Sequence, residues 1–335
     1  MIYRKILVTG GAGCIGMEVC KRLLEHDQEV EIKLFDLFEQ VDRVKNYLDN
    51  RLTLCYGSIL DTASLSEAIR DVDVVIHLGA YLGVKRTETD PLKCLDININ
   101  GTKNVLDVSV MHNVKKFVFA SSSEVYGEPI NNPVRESDIL QGKTLYAVSK
   151  MAGEEYVKAY SKDFNFNYTI LRYFNTYGSF QTAQFVLPKF IDNVQNNKSP
   201  IIYGNGKQIR SFCHASDTAK ATVESVFNAN ARNQIYNVGN PNSRITLNEL
   251  ADLVLELSGK KEKITIDRKN SFSDTDRSED REINFRFCDI SKIQADLGYE
   301  PTISVEEGIK LILNEGIIFP KWPTLERNYS VKNEQ

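Results

Sequence analysis

Apolar positions along the chain change period repeatedly, and those changes outline its elements. Ile6-Leu7-Val8 is a short apolar run that predicts a strand, and the segment after it carries Val19, Leu23 and Leu24 at helical spacing. Glu31-Ile32-Lys33-Leu34-Phe35-Asp36 reads as a second strand ending in a carboxylate, and Leu52-Thr53-Leu54-Cys55-Tyr56 as a third. Asp61 to Ile69 predicts a short helix and Val72 to Leu78 a buried strand. Pro91 to His112 predicts an amphipathic helix through Leu92, Leu95, Ile99, Val105, Leu106 and Val108. Phe117-Val118-Phe119-Ala120 is another buried strand, and a helical pattern runs over 146–163.

Strands alternating with helices imply an α/β fold with a mostly parallel, Rossmann-like doubly wound sheet, which binds ligands beyond the C-terminal ends of its strands. After residue 175 the alternation loosens. Loop then helix is expected over Gln181–Val194, a strand over Ser199–Tyr203, and helices over His214–Asn228 and Leu247–Ser258. The last has Thr246 at its N-cap position and Glu249 three residues on. The expected organisation is a nucleotide-binding domain over 1–175, to which some later segments return. A smaller interdigitated substrate lobe over 176–320 and a tail over 321–335 complete it.

A chain of 335 residues with 42% apolar residues is long enough to bury a full core. Its net charge of −4 gives no reason to expect nucleic acid or an anionic membrane as partner, so any anionic ligand must be held by local cations. The cysteines at 14, 20, 55, 94, 213 and 288 form no C-x-x-C pair. No N-terminal signal pattern is visible, and no stretch approaches the roughly eighteen apolar residues of a membrane span. A soluble cytoplasmic protein with free thiols is expected. The four histidines never fall at i, i+3 or i, i+4, so no catalytic metal is expected.

Two stretches carry chemistry. Thr9-Gly10-Gly11-Ala12-Gly13-Cys14-Ile15-Gly16 lies between a predicted strand and helix, as a dinucleotide fingerprint requires. Gly10 permits the turn, Gly13 lets the backbone approach a pyrophosphate, and Gly16 allows close helix–strand packing. Asp36 ends the next strand, where its carboxylate accepts from both ribose hydroxyls and repels a 2′-phosphate. Leu37-Phe38 offer no arginine to bind that phosphate, so NAD is favoured over NADP. Leu78 leads into Gly79-Ala80, small residues suited to a cofactor lying across the strand tips.

The second stretch is Ser121-Ser122-Ser123-Glu124-Val125-Tyr126-Gly127, at a strand's C-terminal end. Tyr146 and Lys150, at i and i+4, share a face of the following helix. An ammonium near a phenol lowers the phenol's pKa, making Tyr146 a general base for a sugar or alcohol hydroxyl. Ser122 would donate to the same oxygen. Taken alone, a Tyr-x-x-x-Lys pair is more often a solvated face; the glycine turn and the serine cluster are what turn it into chemistry.

With these motifs the chain resembles the extended short-chain dehydrogenase/reductases, in the NAD-dependent nucleotide-sugar epimerase/dehydratase family. Further matching stretches are Asn98-Ile99-Asn100-Gly101-Thr102, Leu171-Arg172-Tyr173-Phe174-Asn175-Thr176-Tyr177-Gly178, Val186-Leu187-Pro188-Lys189-Phe190, Tyr203-Gly204-Asn205-Gly206, Arg210-Ser211-Phe212 and Leu297-Gly298-Tyr299-Glu300-Pro301. The resemblance implies Tyr146 as base, Lys150 as its partner and ribose ligand, and Ser122 at the sugar C4. NAD would take hydride from C4, leaving a transient 4-keto sugar, and return it.

The resemblance further implies cofactor contacts from Gly10, Gly13, Cys14, Ile15, Gly16, Asp36, Ile59, Leu78, Gly79, Ala80, Asn98 and Tyr173. Substrate contacts would come from Ser122, Ser123, Asn175, Val186, Leu187, Lys189, Tyr203 and Arg210, with Arg281 or Arg277 as a second phosphate ligand. Arg210 offers the bidentate, permanently charged fork that a diphosphate needs. His214 reads as structural.

In 4,6-dehydratases of the family an adjacent Asp-Glu pair assists elimination. Here the Asp place is Ser123, and Glu124 is either catalytic or a surface or supporting carboxylate. The implied activity is an NAD-dependent nucleotide-sugar 4-epimerase, with a UDP-sugar as the expected substrate. UDP-glucuronate decarboxylase, 4,6-dehydratase and, in another class, a non-catalytic NAD sensor stand as alternatives. A homodimer through a four-helix contact of the 91–112 and 146–163 helices is also implied.

Overall fold

The computed structural model describes residues 3–182, 185–269 and 283–315. Six strands alternate with helices along the first half: β1 (Lys5–Thr9), β2 (Glu31–Asp36), β3 (Leu52–Tyr56), β4 (Val74–His77), β5 (Lys116–Ser122) and β6 (Asn167–Tyr173). With the later strand Gln234–Val238 they form one sheet in the order Gln234–Val238, β6, β5, β4, β1, β2, β3. Every neighbouring pair is parallel. The expected doubly wound α/β fold is what the chain adopts. The strand order reverses between β1 and β4, and a crevice opens there over the strand C-termini.

The strands are apolar on both faces because both faces are covered. Ile6 and Val8 of β1 pack with Val19, Leu23 and Leu24 of helix α1 (Cys14–His26). Leu7, between them, faces the opposite layer with Leu65, Ile69, Val105 and Leu106. Each such side chain contributes about 1.5–3 kcal/mol on full burial. A third cluster, including Leu187, Phe190, Phe212, Leu250 and Ile309, belongs to the segments after β6. Helix Ala215–Phe227 packs back against α1, with the Phe227 and His26 rings stacked at 4.3 Å.

Local signals placed the helix ends well. Asp61 caps the helix Thr62–Ile69 by accepting from the Ala63 amide, and Thr246 and Glu249 complete the capping box of Leu247–Leu257. The expected 91–112 helix is interrupted. It consists of Pro91–Leu95, a π-helical turn Asp96–Asn100, and Gly101–Met111. That turn buries the Asn98 amide, which grips both backbone groups of Tyr81 and the Ser149 hydroxyl. Leu92 and Met111 on these segments, and Val148 and Phe164 on the helix Leu145–Phe164, are exposed. Among the described residues, no helix is long and apolar enough to cross a membrane.

Candidate active site

A cavity of about 430 Å³ opens over the strand tips and takes its walls from both halves of the chain. At one end lies the glycine turn. Gly10 adopts φ +69°, and a Cβ there would stand 2.7 Å from the Gly79 amide nitrogen. A Cβ on Gly16 would stand 2.4 Å from the Gly10 carbonyl oxygen, so the turn tolerates no side chain at either position. Helix α1 starts at Cys14 with Gly13 as its cap and no side-chain cap bond. Its first-turn amides and positive dipole end are left for an anion. Gly10, Gly13, Cys14, Ile15, Gly16, Leu78, Gly79, Ala80 and Tyr173 all line the cavity.

Asp36 lines it too, accepting from the Ala12 amide at 3.1 Å and the Leu37 amide at 2.8 Å. Burial pushes its carboxyl up to about 6, against those two bonds and the nearby Arg43. Leu37 and Phe38 bring no arginine, as the sequence says, but one arrives from further along the chain. Arg43, from helix α2 (Phe38–Val44), lines the cavity beside Asp36, because the helix folds the chain back toward the turn. A bare turn, an open helix N-terminus and a carboxylate at the second strand tip fit a dinucleotide.

A pH dependence follows. The free protein holds the Asp36 proton up to about pH 6, whereas hydrogen bonds from ribose hydroxyls favour the ionised form. NAD affinity should therefore be flat above that value and fall below it, by at most about tenfold per pH unit. Titration with NADH, which carries the same adenosine ribose and fluoresces, from pH 5 to 8 (roughly the range over which this carboxyl changes charge) checks this, and pH-independent affinity would refute it.

Two expected cofactor residues stand behind the cavity rather than on it. Ile59 is buried against Gly79 and Gly101 and supports the wall. Asn98 links Tyr81 to Ser149, tying the π-helical turn to the helix Leu145–Phe164.

That helix begins at Thr144, whose hydroxyl accepts from the Ala147 amide. Its first turns present Tyr146 and Lys150 to the cavity opposite Ser122, Ser123 and Glu124 at the end of β5. Lys150 is buried; its Nζ donates to the Ala120 carbonyl at 2.8 Å and lies 5.8 Å from the Tyr146 ring centre. Burial brings the lysine down to about 8, with Cys94 and Glu154 opposing. The expected depression of the Tyr146 pKa is overturned. Burial drives the phenol up and Glu124 adds to that, while only the Ser122 hydroxyl pulls the other way. Desolvation outweighs an ammonium that is itself engaged by a carbonyl.

Glu124 faces the cavity and is ion-paired with Arg286, a residue the sequence did not single out. Arg286 is 2% exposed and also donates to the Gly127 carbonyl at 3.3 Å. It follows the charged run 274–281, flanked by Phe285 and Phe287. The alternation of that short stretch was the one available sign of an inward arginine.

At the other end Asn175, held at φ +37° and bonded to the Ser211 carbonyl, lines the cavity with Arg210, which is 9% exposed. Arg210 sits on the strand Ile209–Ser211 and donates to the Ile209 and Asn284 carbonyls. Val186, Leu187, Lys189 and Tyr203, expected at the substrate, are not on the cavity wall. Leu187 is buried in the third cluster with Val186 against it, Lys189 is exposed, and Tyr203 ends the strand Ile201–Tyr203. Arg277 and Arg281 lie outside the described residues. His214 caps helix Ala215–Phe227 by accepting from the Ser216 amide, a structural task.

Comparisons with known proteins give the family. The family model described as GDP-mannose 4,6 dehydratase matches residues 7–312. A putative UDP-glucose 4-epimerase of Methanocaldococcus jannaschii is 36% identical, covering 92% of this chain and 97% of the relative. A UDP-N-acetyl-alpha-D-glucosaminuronate decarboxylase of Bacillus cytotoxicus is 30% identical over 92% and 96%. The crystal structure of a UDP-glucuronic acid 4-epimerase from Bacillus cereus, in complex with UDP-glucuronic acid and NAD, superposes with TM-score 0.83 at 28% identity, covering 92% and 98%. The relatives thus span more than one reaction on one architecture. The chain belongs to the NAD-dependent nucleotide-sugar epimerase/dehydratase family of extended short-chain dehydrogenase/reductases, and is an enzyme of that family.

Proposed function

We propose that the chain is a UDP-sugar 4-epimerase that works through a transient 4-keto sugar. NAD, when bound, supplies the hydride acceptor. The glycine turn would hold its diphosphate, Asp36 its adenosine ribose, and Lys150 the second ribose. Tyr146 Oη takes the C4 hydroxyl proton as the hydride leaves and gives it back when hydride returns to the other face. Ser122 donates to the same sugar oxygen and keeps it oriented through both half-reactions. Arg210 and Asn175 would hold the nucleotide diphosphate, and the pocket between the two halves keeps water from the keto sugar.

One observation carries epimerisation over dehydration. The place where an elimination needs a protonated carboxyl holds the Ser123 hydroxyl, and the neighbouring Glu124 is occupied by Arg286. Hydride removal and return then remain without a leaving group. The same pair favours a second reading. The uronate carboxylate of UDP-glucuronate, the substrate of a decarboxylase, would enter beside the Glu124–Arg286 pair. The intact Ser122, Tyr146 and Lys150 argue against a sensor, which has no use for them.

The test is incubation of the purified protein with UDP-glucose and, separately, UDP-glucuronate, followed by chromatography of the nucleotide sugars. Formation of the 4-epimer with no gas supports the proposal. Carbon dioxide and a UDP-pentose would replace it with the decarboxylase reading, and a keto-deoxy sugar with dehydration.

A further inference from the structure

Residues 178–182 follow the short strand Thr176–Tyr177 and return from the second half of the chain onto the glycine turn. Gly178 lies so close that a Cβ on it would be 3.3 Å from Cys14 Sγ. Arg43 then staples the segment in place. Its Nη1 donates to the Phe180 carbonyl at 3.3 Å and its Nη2 to the Ala12 carbonyl, inside the glycine turn, at 3.1 Å. The Phe180 ring meets the Tyr47 ring edge to face, with centroids 5.0 Å apart. A bridge therefore runs from the nucleotide turn, through Arg43, to a loop 137 residues away.

Two features show what the bridge is for. Phe180 has φ +64°, a left-handed conformation that a bulky side chain rarely adopts. The closed arrangement is thus held by its contacts against the backbone's own preference, as in segments that open and close. In addition, Arg43 Nε, Gln181 Oε1 and Thr182 Oγ1 are buried without hydrogen-bond partners, and all three residues line the cavity. Buried polar atoms are almost always paired, so three orphans on one wall call for a ligand. A charged donor near Asp36, with a carbonyl acceptor and a hydroxyl on the same cavity wall, matches the chemistry of a ribose next to a diphosphate.

We propose that Gly178–Thr182 and Arg43 form a strap that closes over the bound dinucleotide and sets the rate at which it leaves. Neither the motifs nor the family resemblance assigned these residues. Arg43 is the latch, Tyr47 and Phe180 are the clasp, and the three unpaired atoms bond to the adenosine ribose and the diphosphate. The benefit rests on the epimerase reading. An enzyme that removes hydride and later returns it is left with a stranded keto sugar if the reduced cofactor escapes between the two steps.

The experiment uses the full chain loaded with NADH and follows the loss of bound-NADH fluorescence on mixing with excess NAD. Arg43→Met keeps the apolar stem and removes the latch; release should accelerate about tenfold or more. Tyr47→Ala touches only a ring that is 60% exposed and off the cavity wall, and should accelerate release about threefold with an unchanged melting temperature. Release rates within about twofold of the parent for folded variants would overturn the strap, since changes of that size lie below one lost hydrogen bond. Should Arg43→Met fail to fold, Tyr47→Ala alone decides. Neither measurement involves a sugar nucleotide, so failure of the epimerase reading would leave them untouched.

Discussion

Tyr146→Phe is expected to lower turnover about a thousandfold while leaving NAD content and stability close to those of the parent. The substitution removes one oxygen from a side chain at the cavity wall and keeps the ring beside Lys150. Burial holds the phenol well above its ordinary pKa, so a standing phenolate is not the reactive form. In the proposed reaction the proton would move while the hydride moves, with Tyr146 taking it. Lys150, brought down to about 8 and bound to the Ala120 carbonyl, anchors this arrangement from the same helix face. The check is kcat for C4 epimerisation, with cofactor content read by absorbance after purification. Turnover within about tenfold of the parent would remove Tyr146 from the acid–base role, because general catalysis is worth more than that.

Arg172→Leu should destabilise the fold by about 3–5 kcal/mol, the usual penalty for leaving a buried charge without its partner. Arg172 and Glu154 are 3% and 0% exposed and joined at 2.7 Å. The fork is bidentate, with Arg172 Nε donating to the other carboxylate oxygen at 2.9 Å. Ser121 donates to the same carboxylate, and Arg172 also holds the Tyr126 hydroxyl, which passes the network on to Asn237. Losing the cation would strand Glu154 beneath Ser121 at the end of β5. The double variant with Glu154→Leu should recover part of the loss, because it removes the uncompensated charge. Urea denaturation of the three proteins at neutral pH measures both effects. A single-variant loss below about 1 kcal/mol would mean that the pair contributes no more than an exposed one.

The same network explains why only part of the site could be read in advance. Ser122, Tyr146 and Lys150 were legible because each stands in a local pattern. The serines end an apolar run, and the Tyr–Lys spacing puts both on one helix face. The partners that tune them come from far away. Arg286 reaches Glu124 across 162 residues and Arg172 reaches Tyr126 across 46, with no periodicity linking either pair. Val186, Leu187, Lys189 and Tyr203 lie off the cavity wall for the complementary reason. A family motif marks a position in the chain, whereas lining a cavity depends on how a whole lobe packs against the sheet.

What the sequence determined by itself is the parallel sheet, the glycine turn and the grouping of Ser122, Tyr146 and Lys150 at the end of β5. Those follow from hydrophobic period, from glycine's tolerance of left-handed backbone and from short helical spacing, all set within a few residues. Tertiary structure alone decided the surroundings that control the chemistry. It set the half-buried Tyr146 phenol in a desolvated cavity wall near Glu124, which raises its pKa rather than lowering it, delivered Arg286 to Glu124, and brought Arg43 and residues 178–182 together over the nucleotide turn. Burial and charge pairing depend on which distant surfaces meet, and that is settled only when the two halves of the chain close on one another.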